Sequence, residues 1–169
     1  MAVTLRSGRS EDADVCGVIC YEAFKAIAGQ PRFPPDLPSS EMASGLMSHL
    51  LSLSDFYAVV AGADGRFLGS NFLWEGDTIA GVGPITIDPK SQNDGIGRAM
   101  MEDVMARAAQ KNFPGVRLAQ AAFHNRSLSL YTKLGFEVRE PLACIQGTPL
   151  KKSVAGFSVR PAAADDIEA

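Results

Sequence analysis

The chain has 169 residues, 46% of them hydrophobic and 21% charged, with a formal net charge of −3. That size suits one ordinary domain with a continuous core; the composition excludes disordered and disulfide-stapled classes, and the acidic balance removes the cationic footprint of a nucleic-acid binder. No apolar run approaches the ~20 residues of a membrane span and no basic-then-apolar leader opens the sequence, so a cytoplasmic protein without membrane or nucleic-acid partners is expected.

Residues 3–6 alternate as a short strand. Ser10, followed by Glu11, Asp12 and Asp14, reads as the N-cap of a first helix reaching about residue 27, with Val15, Val18, Ile19 and Ala23 on its apolar face. Cys16 and Cys20 stand one turn apart in that stretch and read as small core residues; three cysteines, an odd count, argue against a disulfide framework, and His49 and His124 are too remote in sequence to complete a metal site. Pro31, Pro34, Pro35 and Pro38 remove backbone donors and impose a loop over 29–38. Ser39 or Ser40, with Glu41, then starts a second helix carrying Met42, Leu46, Met47, Leu50 and Leu51.

Residues 56–61 and 66–73 are β-rich, and Asp64-Gly65 between them predicts a tight hairpin. Glu75-Gly76-Asp77 makes the next turn before a strand over 79–87, in which Gly81, Gly83 and Pro84 predict an interruption or bulge that frees neighbouring backbone groups. The helix over 95–111 places Ile96, Met100, Val104 and Ala108 inward and Glu102, Asp103, Arg107 and Lys111 outward, with Asp103 and Arg107 as an i,i+4 pair. Val116 and Leu118 flank Arg117 in a short strand, Asn125 caps a fourth helix through residue 134, Gly135 ends it, and 136–146 supplies the last strand. The order implies an α/β chain with a mixed sheet and helices on its faces.

The segment 85–97 carries the chemistry: a strand runs through a glycine-bearing turn directly into an amphipathic helix. The first amides of such a helix lack internal acceptors and carry partial positive charge, while Gly95 and Gly97 would let a phosphate approach the backbone. A Walker loop is excluded by the missing Gly-Lys-Ser/Thr, and Met100 stands where the dinucleotide fingerprint needs a small residue. On local grounds a plain turn at Asn93-Asp94-Gly95 stays open beside phosphate binding.

Gln92-Asn93-Asp94-Gly95-Ile96-Gly97 resembles the Gln/Arg-x-x-Gly-x-Gly/Ala signature of the GNAT superfamily of acyl-CoA-dependent N-acyltransferases, and Asn125-Arg-Ser127-Leu-Ser-Leu-Tyr131-Thr-Lys-Leu-Gly135-Phe136 is similar to its second signature. The sequence departs from many members in having Gln92-Asn93 where they carry Arg-Gly. The resemblance implies a central, mostly antiparallel sheet flanked by helices on both faces, over a domain of residues 1–150. It implies acetyl-CoA as acyl donor, with the amides of Asn93, Asp94, Gly95, Ile96, Gly97 and Arg98 on the pyrophosphate behind Gln92. The backbone of Ile85 and Ile87 would pair with the pantetheine arm, Asn125 and Ser127 would lie on the cofactor, and Tyr131 would be the general acid. A small-molecule or peptide amine would be the acceptor, and no metal is implied. A noncatalytic acyl-CoA-binding regulatory domain is the alternative, and a nucleotide-phosphate binder of another fold a third reading.

Glu75, Asp77 and His124 are base candidates by chain position, and the Pro-rich loop, the second helix and the turn at Trp74 are expected to build the acceptor pocket, with Phe33, Met42, Met47 and Trp74. Finally, residues 159–166 echo residues 5–12: an apolar residue and Arg, four small or polar residues, then an acidic pair. The stretch 151–169 is therefore either a tail or linker, or the start of a second, truncated GNAT-like domain. A homodimer or a covalently linked second domain is the expected higher-order partner.

Overall fold

Asp64 and Gly65 both adopt positive φ, 51° and 75°, the geometry of a two-residue hairpin, and join β2 (Phe56–Ala63) to β3 (Arg66–Trp74). Around this hairpin lies a five-stranded sheet in the order β1 (Thr4–Ser7), β2, β3, β4 (Ala80–Ile87), β5 (Val116–Leu118), antiparallel up to β4 and parallel between β4 and β5. The computed structural model describes residues 3–144, 147–148 and 152–167. The helices α1 (Ala13–Gly29), α2 (Ser40–Ser52), α3 (Ile96–Gln110) and α4 (Asn125–Lys133) belong, with the sheet, to a unit ending at Glu137; a second unit begins at Val138.

Period-two alternation decides which helices cover which face of the sheet. Ala58, Val60 and Phe72 meet Cys16 and Cys20 of α1 and Ala43, Met47 and Leu50 of α2, whereas Val59, Ala61 and Leu73 meet Ile96, Met100 and Val104 of α3 and Tyr131 of α4. The expected mixed, mostly antiparallel sheet with helices on both faces is what forms.

Several local expectations are corrected. Ser10 does not cap α1: Ser10–Asp12 is a 3-10 turn with Arg9 at its N-cap. Its anchor is Asp12, whose carboxylate accepts from the Arg6 guanidinium at 2.8 and 2.7 Å and from the Arg9 amide at 2.8 Å; the Arg6 contact holds its pKa below the ordinary carboxylate value. On α1, Val15 and Val18 face solvent while Cys16 and Cys20 are buried. The rotation is set at Gly17, where a Cβ would lie 2.4 Å from Ser44 of α2, so the helices cross at that point and the residues beside Gly17 turn to the sheet. Ser39 caps α2, its hydroxyl accepting from the Met42 amide at 3.3 Å.

Asp103 and Arg107 do not pair with each other. Arg107 reaches Glu75 beyond the end of β3, at 2.6 and 3.2 Å, and Asp103 accepts from the Tyr57 hydroxyl at 2.8 Å. Glu75, expected as a solvated turn residue, is thereby mostly buried, with Lys111 at 3.7 Å as a second cation. The last strand does not form over residues 136–144; Ile145 and Gln146 lie outside the described residues. Gly135 turns the chain at φ 93°, and the Phe136 amide donates to the Tyr131 carbonyl, which folds Phe136 back beside the Tyr131 ring rather than along a ladder.

Described by itself, the second unit repeats a local structure of the first. Arg160 donates to both oxygens of Asp166 at 2.7 and 2.6 Å and to the Pro161 carbonyl at 3.1 Å, and the Ala163 amide donates to Asp166 at 2.6 Å, at the head of a 3-10 turn, Ala164–Ile167. Arg6, the Ser7 carbonyl, the Arg9 amide and Asp12 make the same set of bonds at the same spacing.

Candidate active site

The site begins where two strands part. β4 and β5 pair only between Ala80–Val82 and Val116–Leu118. Past Val82 the strand β4 bulges, setting Gly83 and Pro84 against Phe72 of β3, and then runs on through Ile85, Thr86 and Ile87 with β3 as its partner on one side and no strand on the other. Pro84 lacks a donor and Gly83 takes φ 135°, so the predicted interruption forms for the predicted reason. On its outer side this stretch meets no strand among the described residues, and the Ile87 carbonyl accepts from the Gln92 side chain. The side chains of Ile85 and Ile87 turn to the α3 face, where they pack against its core cluster.

Beyond Ile87 a short turn leads into α3. Asn93 and Gly95 both stand in the left-handed region, at φ 78° and 79°, alternating with Asp94 in a way that gathers successive amides toward one side. Gly95 is the N-cap of α3 and no side chain caps the helix, so the amides of Ile96, Gly97 and Arg98 have no helical acceptor; the first helical bond is Ala99 N–H to Gly95 at 3.0 Å. The two glycines do different work. A Cβ on Gly95 would meet open space, so that position is free for a ligand and needs Gly for its φ. A Cβ on Gly97 would stand 2.9 Å from Ile87 Cδ1 and 3.4 Å from Leu130 Cδ2. β4 and α4 crowd Gly97, a packing reason for glycine there that the sequence did not show. The Arg98 side chain turns outward to Glu102 at 3.2 Å.

Gln92 answers the missing arginine of its signature. Its amide nitrogen is held by the Ile87 carbonyl at 3.4 Å, and its oxygen accepts from the Arg126 guanidinium at the start of α4. Arg126 makes no ion pair among the described residues, so it adds an uncompensated positive charge beside the uncapped amides of α3. The signal was present in the sequence: a cation in the first turn of a helix opposes the helix dipole and needs an anion or another reason to be there.

An acetyltransferase (GNAT) domain model matches residues 54–138, half of the chain. The chain belongs to the GNAT acetyltransferase family. Solved structures of the same fold include an N-acetyltransferase of Thermoplasma acidophilum in complex with coenzyme A, at 18% identity over 83% of this chain and 93% of that one, TM-score 0.70. A predicted acetyltransferase of Clostridium acetobutylicum with acetyl-CoA is 13% identical over 86% and 96%, TM-score 0.66. The AAC(6')-Iy structure with a bisubstrate analogue, CoA-S-monomethyl-acetylneamine, is 11% identical over 88% and 100%, TM-score 0.69. No curated protein matches the sequence.

Within this GNAT domain the second motif is placed on α4, one residue out of the expected register. His124, not Asn125, occupies the N-cap, and the Asn125 side chain caps nothing. Ser127 Oγ lies 2.6 Å from His124 Nδ1. Burial, reinforced by the neighbouring Arg126 charge, lowers the His124 pKa. Tyr131 is buried at 7% exposure, and burial raises its phenol while the Ser127 hydroxyl pulls the other way. The other base candidates are occupied. The Arg107 contact keeps the pKa of Glu75 below its ordinary value, and Asp77 is tied to Arg117 at 2.6 Å. Of the residues expected around an acceptor, Met47 is core and Trp74 donates to Asp55 at 2.9 Å, while Phe33 reaches across to Phe123 with ring centroids 5.2 Å apart. Beside that contact a cavity of about 250 Å³ is lined by Gln30, Phe123, His124, Asn125 and Arg126. No helix among the described residues is long and apolar enough to cross a membrane, and no metal-binding cluster occurs among them.

Proposed function

We propose that the protein transfers the acetyl group of acetyl-CoA to an amine of a small molecule or peptide by direct attack on the thioester. The observation that carries this reading is the parting of β4 from β5 beside the uncapped start of α3. The main-chain groups of Ile85 and the Ile87 amide, on the side away from β3, suit the amides of a pantetheine arm, while the Ile87 carbonyl is already held by Gln92; the amides from Asn93 to Arg98, with Gln92 holding Arg126 at their edge, suit a pyrophosphate. The open space over Gly95 fits that group. Asn125 and Ser127, on the first turn of α4 beside Arg126, are proposed to meet the cofactor as well.

In the reaction the amine nitrogen attacks the thioester carbon, the carbonyl oxygen gathers charge, and the carbon–sulfur bond then breaks with its electron pair on sulfur. A main-chain amide of the Ile85–Ile87 stretch is the donor for the oxyanion, and the Tyr131 phenol is the donor for the sulfur. A phenol at ~10 already lies above a thiol at ~8.5, and burial raises Tyr131 further. Tyr131 therefore acts through a hydrogen bond to sulfur unless something returns a proton to it as it gives one up.

Calorimetric titration with acetyl-CoA, together with thiol release in the presence of a panel of amines, tests the proposal. Heat of binding and turnover are expected, with Tyr131→Phe lowering kcat by roughly a hundredfold or more and leaving cofactor affinity within about twofold. Absence of binding sinks the reading, and binding without turnover on every amine replaces it with a noncatalytic acyl-CoA-binding domain.

The repeated Arg–Asp structure supports a second part of this reading: residues 159–167 are the opening of another GNAT-like domain, so that the transferase works as one half of a tandem protein. Immunoblotting of the native protein should then find a mass well above 17.9 kDa. A band at that mass refutes the tandem arrangement.

A further inference from the structure

The end of α1 meets the start of α4 through two half-exposed rings. Beyond α1 the Phe33 amide donates to the Ala28 carbonyl at 2.9 Å and the Arg32 amide to the Gly29 carbonyl at 3.2 Å, with Arg32 at φ 61°. These are the two bonds of a Schellman turn, with Arg32 in the left-handed position that Gly usually holds. The turn fixes the direction in which Phe33 leaves the helix. Phe123 stands immediately before His124, the N-cap of α4, where an apolar residue sets the angle at which the chain enters a helix. The two rings meet edge to face, centroids 5.2 Å apart and planes at 72°, with Phe33 53% and Phe123 41% exposed. Beside them the end of α1 and the start of α4 stand apart around the cavity lined by Gln30 and by residues 123–126.

We propose that Phe33 is a positioning residue for the coenzyme: through Phe123 it sets the entry into α4 and so the place of Arg126, an inference that rests on Arg126 facing the coenzyme phosphates. Arg126 lies three residues beyond Phe123, in the first turn of α4. Its guanidinium is held from the other side by Gln92, which is itself held by the Ile87 carbonyl. The residue is thus fixed at its tip from the end of β4 and at its backbone from the end of α1. An arginine loses much rotamer freedom when it grips a phosphate. Fixing it before the ligand arrives lowers that cost, which is how preorganisation raises affinity. With both rings about half exposed, their contact adds little buried area to the core; its effect is on where α4 starts.

Calorimetric titration of the unaltered protein and of Phe33→Ala, with coenzyme A and with pantetheine, which lacks the phosphates, tests the proposal. Phe33→Ala should weaken coenzyme A about threefold to tenfold, the scale of one aromatic pair, and leave pantetheine within about twofold. Phe33→Tyr, which keeps the ring edge, should bind coenzyme A as the unaltered protein does. In an Arg126→Gln background the Ala substitution should cost less than about twofold, because it acts through Arg126. An unchanged affinity for coenzyme A, an equal loss on both ligands, losses that multiply, or a Tyr variant as weak as the Ala variant overturns the proposal. Phe33→Leu takes the place of Phe33→Ala if the latter does not fold. Without ligand, nitrogen-15 spectra of Phe33→Ala should show the amides of Asn125 and Arg126 shifted; unmoved amides overturn the proposal as well. If the unaltered protein binds neither ligand, the functional reading fails, while the spectra still decide whether Phe33 sets the start of α4.

Discussion

Replacing Gly97 with Ala tests whether this position is set by packing or by the ligand. The added methyl would stand 2.9 Å from Ile87 Cδ1 and 3.4 Å from Leu130 Cδ2, where carbon atoms rest near 3.5–4.0 Å. Overpacking of this kind costs about 1–3 kcal/mol, and the helix preference of Ala over Gly returns about 0.5–1 kcal/mol, so a net loss of about 1 kcal/mol is expected. That corresponds to roughly 2–4 °C in Tm for a domain of this size. The nearest clashing atom is the tip of a side chain, so Ile87→Val, which removes Cδ1 and costs about 0.5–1.5 kcal/mol alone, should relieve most of the strain. Denaturant unfolding of both single variants and the double variant measures the coupling. The double variant should be more stable than the sum of losses by about 1 kcal/mol. Additivity within about 0.3–0.5 kcal/mol would show that the methyl finds room elsewhere and that contact with Ile87 is not why position 97 is glycine.

Arg126→Gln should weaken coenzyme A about tenfold by calorimetry, the scale of one charge-assisted contact, and leave pantetheine, which lacks the phosphates, unchanged; an equal loss on both would place Arg126 away from the phosphates. Glu75→Gln should destabilise the fold by about 1–2 kcal/mol at pH 7, since it removes the anion between Arg107 and Lys111. The folded pKa of Glu75 is depressed below its unfolded value of ~4.3, so this stability is present above the unfolded pKa and is lost as pH falls through the folded one. Urea midpoints of the two proteins should accordingly converge on acidification below about pH 4; a gap that persists there would mean the variant acts through packing rather than charge.

The elements that were legible in the sequence are those whose cause is local. Asp64-Gly65 takes positive φ wherever a two-residue hairpin forms, four-residue apolar steps give α3 its buried face, and Gly83-Pro84 breaks a ladder for want of a donor and a regular φ. What escaped sequence reading depends on which distant element arrives alongside. The close crossing at Gly17 turns Cys16 and Cys20 inward and Val15 and Val18 outward, and Arg107 leaves its helical neighbour Asp103 for a carboxylate that the hairpin strand carries to it from thirty-two residues away. A partly buried bidentate pair is stronger than an exposed i,i+4 pair, which contributes only tenths of a kcal/mol.

The sequence by itself determined the succession of strands and helices, the break in β4 and the uncapped turn before α3, because these follow from φ preferences, missing donors and apolar period within a few residues. The tertiary structure alone decided that Gln92 holds Arg126 beside that turn and that Gly97 is crowded by Ile87 and Leu130. Each of these needs two elements brought within a few ångströms, and a side chain's partner at that distance is set by the packing of the sheet and helices rather than by its neighbours along the chain.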